Sequence, residues 1–172
     1  MIKNEKDIYE IDDIIEFEIT YKPTNATLNK PLYEIDNDIV EIDIYNKERK
    51  DLDSMATEEA KEILTNDINF KNKKSIVLYK DSWHKGVIGI VASRLVEAYY
   101  KPTIIFTKSN DLITGSARSI KDFDIHTALE QCADLLEHFG GHKYAAGVSI
   151  KPENFKKFVQ RFEEIVNQTI RD

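Results

Sequence analysis

The sequence predicts an α/β domain built on a mixed sheet, with one βαβ unit and flanking helices. Three observations predict it. Ser75-Ile76-Val77-Leu78-Tyr79 and Thr103-Ile104-Ile105-Phe106-Thr107 are short apolar runs of the kind a buried strand needs. Between them, residues 86–100 place Val87, Ile90, Val91, Leu95 and Ala98 at helical spacing. Strand, helix and strand in so short a span make a βαβ unit, expected to be parallel and right-handed. Beyond the turn residues Ser109-Asn110-Asp111, a return strand is expected from Leu112 to Ser119, and a further alternating strand from Tyr144 to Ile150.

The other elements follow from local signals. Lys101-Pro102 closes the first helix of this region. Asp124 suits the N-cap of a helix expected to reach Phe139, with Ile125, Ala128, Leu129, Cys132 and Leu136 inward. Gly140-Gly141 then stand where a helix commonly ends. Pro152 occupies a first helical position, and an amphipathic helix runs on to about Ile170. Upstream, Ile42, Tyr45, Leu52, Met55, Ala56, Ala60, Ile63 and Leu64 recur at helical spacing, with a restart signalled near Asp53-Ser54 or Thr57. Residues 15–21 alternate as a strand, and Pro23 and Pro31 bracket a loop. The expected organisation is an unassigned acidic segment (1–38), a connecting helix (39–70) and a domain (71–172).

Composition narrows the class. With 41% hydrophobic and 32% charged residues, the 172-residue chain suits a soluble globular protein. It lacks an apolar run of membrane-spanning length, and its first residues lack a signal-peptide core. A single cysteine, Cys132, excludes an internal disulfide and leaves a reducing, cytoplasmic setting as the default. The net charge of −7 argues against tight binding of long duplexes. Yet residues 1–40 carry ten acids and four bases, so the remaining body is close to neutral and can still hold a local cationic site.

All six glycines lie between Gly86 and Gly147, and all four histidines between His84 and His142. This middle region is therefore the chemical one, because glycine admits close approach and histidine contacts phosphates and metals. Three constellations stand in it. Ser82-Trp83-His84-Lys85-Gly86-Val87-Ile88-Gly89 sits at an expected helix start, where free N–H groups favour an anion; the alternative is strand–helix packing with Trp83 as core. Gly115-Ser116-Ala117-Arg118-Ser119 places a hydroxyl and a guanidinium on one strand face, a pairing suited to a terminal phosphate; the alternative is an exposed hairpin. Gly140-Gly141-His142-Lys143 leads into Ala145-Ala146-Gly147, small residues that leave room against the backbone; the alternative is a helix C-cap alone. His126 and His138 read as ordinary helix residues. No Walker loop, no Gly-x-Ser-x-Gly elbow and no carboxylate–histidine cluster for hydrolytic metals is present.

In this order, Trp83 through Leu95, Gly115 through Ser119, and Gly140-Gly141-His142 with Ala145-Ala146-Gly147 resemble the DHH-associated domain of RecJ-type single-strand 5′-to-3′ exonucleases, in the DHH phosphoesterase superfamily. Residues 46–53 and Glu58-Glu59-Ala60 are similar to the family's leading segment, so the resemblance covers roughly residues 40–170. It implies a DHH-associated fold and a module that binds single-stranded nucleic acid in DNA repair and recombination. It also implies a separate DHH catalytic domain holding Mn2+ or Mg2+. By the same resemblance, Ser116 and Arg118 hold the 5′ end of the strand, and the neighbouring Ser119 is a further substrate-binding candidate. Gly140, Gly141 and His142 line the cleft, and His84 is a further candidate. The DHH motif and the metal-binding aspartates are absent, so the chain reads as part of a longer enzyme and is expected to be inactive alone. Two alternatives remain: part of a phosphodiesterase for very short RNA or cyclic dinucleotides, and a purely structural scaffold.

Overall fold

The computed structural model of the protein describes residues 32–170, with side chains described from residue 46. Helix α1 (Leu32–Asn66) is followed by a 3-10 turn (Phe70–Asn72), β1 (Ile76–Tyr79), α2 (Ile88–Tyr99), β2 (Thr103–Ser109) and β3 (Leu112–Arg118). Then come α3 (Ile125–Glu130), a second 3-10 turn (Ala133–Leu135), β4 (Leu136–His142), β5 (Ala145–Ile150) and α4 (Pro152–Thr169). The five strands form one sheet in the order β1-β2-β3-β5-β4. The β1–β2 pair is parallel across α2, as the βαβ pattern requires, and the other three pairs are antiparallel.

The alternation of side chains along each strand divides the burial between two cores. On one face, Ile104, Phe106, Ala117, Val148 and Ile150 pack with Ile125 and Leu129 of α3 and Phe158, Phe162 and Val166 of α4. On the other, Ile76 and Ile105 pack with Val91, Ala92 and Leu95 of α2, with Trp83, and with Ala56, Ala60 and Leu64 of α1. The buried apolar residues of the second core end with Ile105 of β2, while α2 itself reaches over β3. Over β3, β5 and β4 that face is half-buried to exposed.

Directed polar bonds fix the helices to the sheet. Glu163 of α4 accepts from the backbone N–H of Lys74 at 2.7 Å, from that of Ser75 at 3.0 Å, and from the Ser75 hydroxyl, so one carboxylate caps the entry to β1. Asp53, almost wholly buried, pairs with Arg94 of α2 and accepts from the Thr57 hydroxyl. Glu59 takes Lys80 at 2.8 Å and the Trp83 indole N–H at 2.8 Å. The Lys80 bond, and then the Trp83 bond, hold its carboxyl below the usual carboxylate range.

Several sequence expectations are corrected. The helix from Asp124 does not reach Phe139. The Asp124 side chain does cap it, accepting from Thr127 N–H at 3.1 Å, but it ends at Glu130. Residues 136–142 form the edge strand β4, paired with β5, so Gly140-Gly141 are strand residues and no C-cap. The expected inward set continues the helical period through Leu136, and pairing to the edge of β5 overrides it. His138 therefore lies on a strand. In α2, Ile88 and Ala92 are buried while Ala98 is exposed; the helix begins two residues later than expected, after the turn that carries His84. No restart breaks α1 between Leu32 and Asn66.

Asp53–Asp172 form one compact unit, distinct from the unit that ends at Leu52. Ala56, Ala60 and Leu64 of α1 are part of the second core of this unit. The strand and loop expected within residues 15–31 lie outside the described residues. Among those described, no helix is long and apolar enough to cross a membrane.

Two outcomes test the packing. Glu163→Ala strips the acceptor from two backbone donors, and urea denaturation is expected to show a loss of about 1–3 kcal/mol. Cys132 is buried, which pushes its thiol up to about 11. A thiol-specific disulfide reagent at pH 8 is expected to leave the native protein unlabelled and to label it fully in urea.

Candidate nucleic-acid interface

The register of β3, β5 and β4 determines which side chains share the open face, because directly paired residues point the same way. Arg118 pairs with Ala145, and Ala145 with His142. Ser116 pairs with Gly147, and Gly147 with Gly140. Thr114 pairs with Ser149, and Ser149 with His138. These nine positions form three rows on one face, each row about 6.6 Å from the next along the strands. None carries a carboxylate, although the protein's net charge is −7.

The first two rows are a charged wall beside a bare floor. The Arg118 guanidinium donates to Ser116 Oγ at 3.0 Å and to the Ala117 carbonyl at 2.9 Å. A hydroxyl that accepts from a guanidinium keeps its own proton to donate elsewhere, so the pair presents a cation and a polarised O–H together. On the far side His142 is exposed, and its Nδ1 accepts from the Tyr144 N–H at 3.3 Å. The hairpin tip is held by Ile125 N–H to the Lys143 carbonyl and Ser119 N–H to the Tyr144 carbonyl.

The glycines are present for different reasons. Gly141 has φ +139°, and a Cβ there would stand 2.3 Å from the Ala145 carbonyl oxygen, so the hairpin itself requires glycine. At Gly140 and Gly147 an added Cβ would meet nothing within 4 Å. The fold makes no demand for glycine at these two facing positions. Their effect is to leave backbone exposed as the floor between Ser116 and the outer edge of β4.

The candidate residues are only partly brought together. Ser116, Arg118, Gly140 and His142 share the open face, with Gly141 shaping it from within the strand. Ser119 belongs to its margin: its hydroxyl donates to the Phe123 carbonyl at 2.7 Å and closes the following turn. His84 lies elsewhere. Its turn is anchored where the Thr107 hydroxyl donates to the Trp83 carbonyl at 2.6 Å, and Thr107 pairs with Thr114. That is the opposite end of the rows from Arg118, about 13 Å along the strands. His84 Nδ1 accepts from the Gly86 N–H, and Trp83 is core. Gly147, read in the sequence only as one of the small residues that leave room against the backbone, lies in the open rows opposite Gly140, and His138, read as a helix residue, lies there too.

No three His, Cys, Asp or Glu side chains gather to hold a metal among the described residues. The donor set of the open face, a guanidinium, imidazoles and hydroxyls without carboxylate, suits an anion instead.

The mixed five-stranded sheet with helices on both faces defines an α/β domain, and its residues 72–168 match the DHHA1 domain. The chain belongs to the DHHA1 domain family, as a RecJ-type DHH-associated domain. It is 37% identical over 147 residues to the single-stranded-DNA-specific exonuclease RecJ of Bacillus subtilis, covering 84% of this chain and 18% of that protein. To the exonuclease RecJ of Salmonella typhimurium it is 36% identical, covering 74% and 23% respectively. The crystal structure of RecJ in complex with Mg2+ from Thermus thermophilus superposes with a TM-score of 0.72 at 30% identity, over 83% of this chain and 22% of that one. The chain thus spans about a fifth of the length of these relatives.

Paired substitutions separate floor from hairpin. Gly140→Ala is expected to leave thermal stability unchanged or raise it by about 0.5 kcal/mol. Gly141→Ala is expected to cost about 2 kcal/mol or more, since it forces an L residue into a left-handed conformation against backbone. Differential scanning calorimetry of the two variants checks both.

Proposed function

We propose that this domain binds the 5′ end of single-stranded nucleic acid and presents it to a DHH catalytic domain, as the substrate-binding part of a RecJ-like exonuclease. The observation that carries the reading is the bare floor of Gly140 and Gly147, set between Ser116–Arg118 and His142 in paired rows that carry no carboxylate. A terminal phosphate has more free oxygens than an internal one, so it gains most from the converging donors of Arg118 and Ser116. The floor admits the sugar–phosphate chain against β5, and His142 stands beyond it as a further donor. Ser119 acts by holding the turn that follows Arg118. Hydrolysis belongs to the partner domain, which supplies the Mn2+ or Mg2+; this chain contributes position and charge. The reading carries with it a part in DNA repair and recombination, in the cytoplasm. That the relatives are named as single-stranded-DNA-specific exonucleases supports it.

Fluorescence anisotropy at low salt tests the reading, with a short single strand bearing either a 5′ phosphate or a 5′ hydroxyl. The phosphate is expected to bind about tenfold more tightly to the wild type, and the preference to vanish in Arg118→Ala. Equal affinity for both strands in the wild type would remove the 5′-end pocket from this chain.

A further inference from the structure

Two of the three rows are used by the reading above. The third is polar as well. Thr114, Ser149 and His138 lie side by side on β3, β5 and β4, on the same face as Arg118 and His142. Thr114 and Ser149 are half-buried and His138 is exposed, and none of the three side chains hydrogen-bonds to another described residue. His126 differs: its ring lies against Phe139, with Nδ1 3.9 Å from Glu130. The turn bearing His84 and Lys85 borders this third row, through Thr107 beside Thr114.

We propose that Thr114, Ser149 and His138 form a second phosphate subsite, so that the domain holds a strand of three nucleotides laid along β5. This rests on the reading that Arg118 and Ser116 take the 5′ phosphate. Successive phosphates of an extended strand are separated by roughly one two-residue step of a β-strand, about 6.6 Å. The first phosphate at Arg118 then places the second over Gly147 and Gly140, where no side chain intrudes. The third arrives at His138, with the hydroxyls of Ser149 and Thr114 beneath it. The strand's polarity follows: its 5′ end lies at the Arg118 end of the sheet, and its 3′ direction leads toward the His84 turn.

The test is a length series of 5′-phosphorylated mono-, di- and trinucleotides binding to the intact chain. The affinity of the wild type is expected to rise about fivefold or more on adding the third nucleotide. His138→Ala is expected to abolish that rise while keeping the mononucleotide affinity and the preference for a 5′ phosphate. His126→Ala is expected to keep both. Wild-type affinity that stops rising at the dinucleotide would overturn the subsite, as would a His138→Ala variant with an unchanged length series. The 5′-end reading fails separately, through loss of phosphate preference in the wild type, and the subsite's assignment falls with it.

Discussion

Everything at the candidate interface depends on the register of β5 between β3 and β4. A strand has a period of two, so a slip of one residue would carry every outward side chain inward. In the observed register, Ala117, Ala146 and Val148 lie in the core, and Ser116, Gly147 and Arg118 face out. Several contacts hold that register. Val148 and Ile150 pack among Phe158, Phe162 and Leu129. Gly115 leaves the space that the Phe106 ring fills, since a Cβ there would lie 2.6 Å from the ring. Gly141 lets the β4–β5 hairpin close against Ala145 and Ala146. The apolar face therefore specifies which side chains the polar one presents.

The same layering explains why the face is open. Helix α2 lies over β2 and β3, and the part of α1 from Asp53 packs with it, tied there by Asp53–Arg94 and by Glu59 with Lys80 and Trp83. Their buried apolar residues end with Ile105, and β5 and β4 extend beyond α2. The first sequence constellation thus divides in function. Trp83 serves packing and Glu59, whereas the turn it begins brings His84 to the far end of the open rows. An acidic protein can present such a face because the charge is unevenly placed. Residues 1–40 hold ten of the 31 acids, and the nine outward positions hold none. The proposed binding of a short anion there would be modest and salt-sensitive.

Much of the fold was legible. β1, α2, β2, β3, β5 and α4 were readable because each has an unbroken period and a clear stop, such as Pro102 or Pro152. β4 was not. Its Leu136 continues the helical spacing of Ile125, Leu129 and Cys132, and its glycines resemble a cap. Only pairing with β5 makes it a strand, and pairing is not local information. The site followed the same rule. Ser116 and Arg118 were readable because two residues apart on a strand means one face. His142 and the glycine pair stood out through composition and resemblance, but the reason for each glycine needed coordinates. His138 was misread with its element, since a residue assigned to a helix cannot be placed on a sheet face.

The central claim is that the outward face of β3, β5 and β4 receives the strand. Backbone chemical-shift mapping of the 15N-labelled chain, titrated with a short 5′-phosphorylated single strand, tests it most directly. The account predicts shifts concentrated at Ser116, Arg118, Gly140, His142 and Gly147, with Phe158 and Phe162 of α4 unmoved. Shifts confined to α1, or none at all on the sheet while the strand binds, would contradict it.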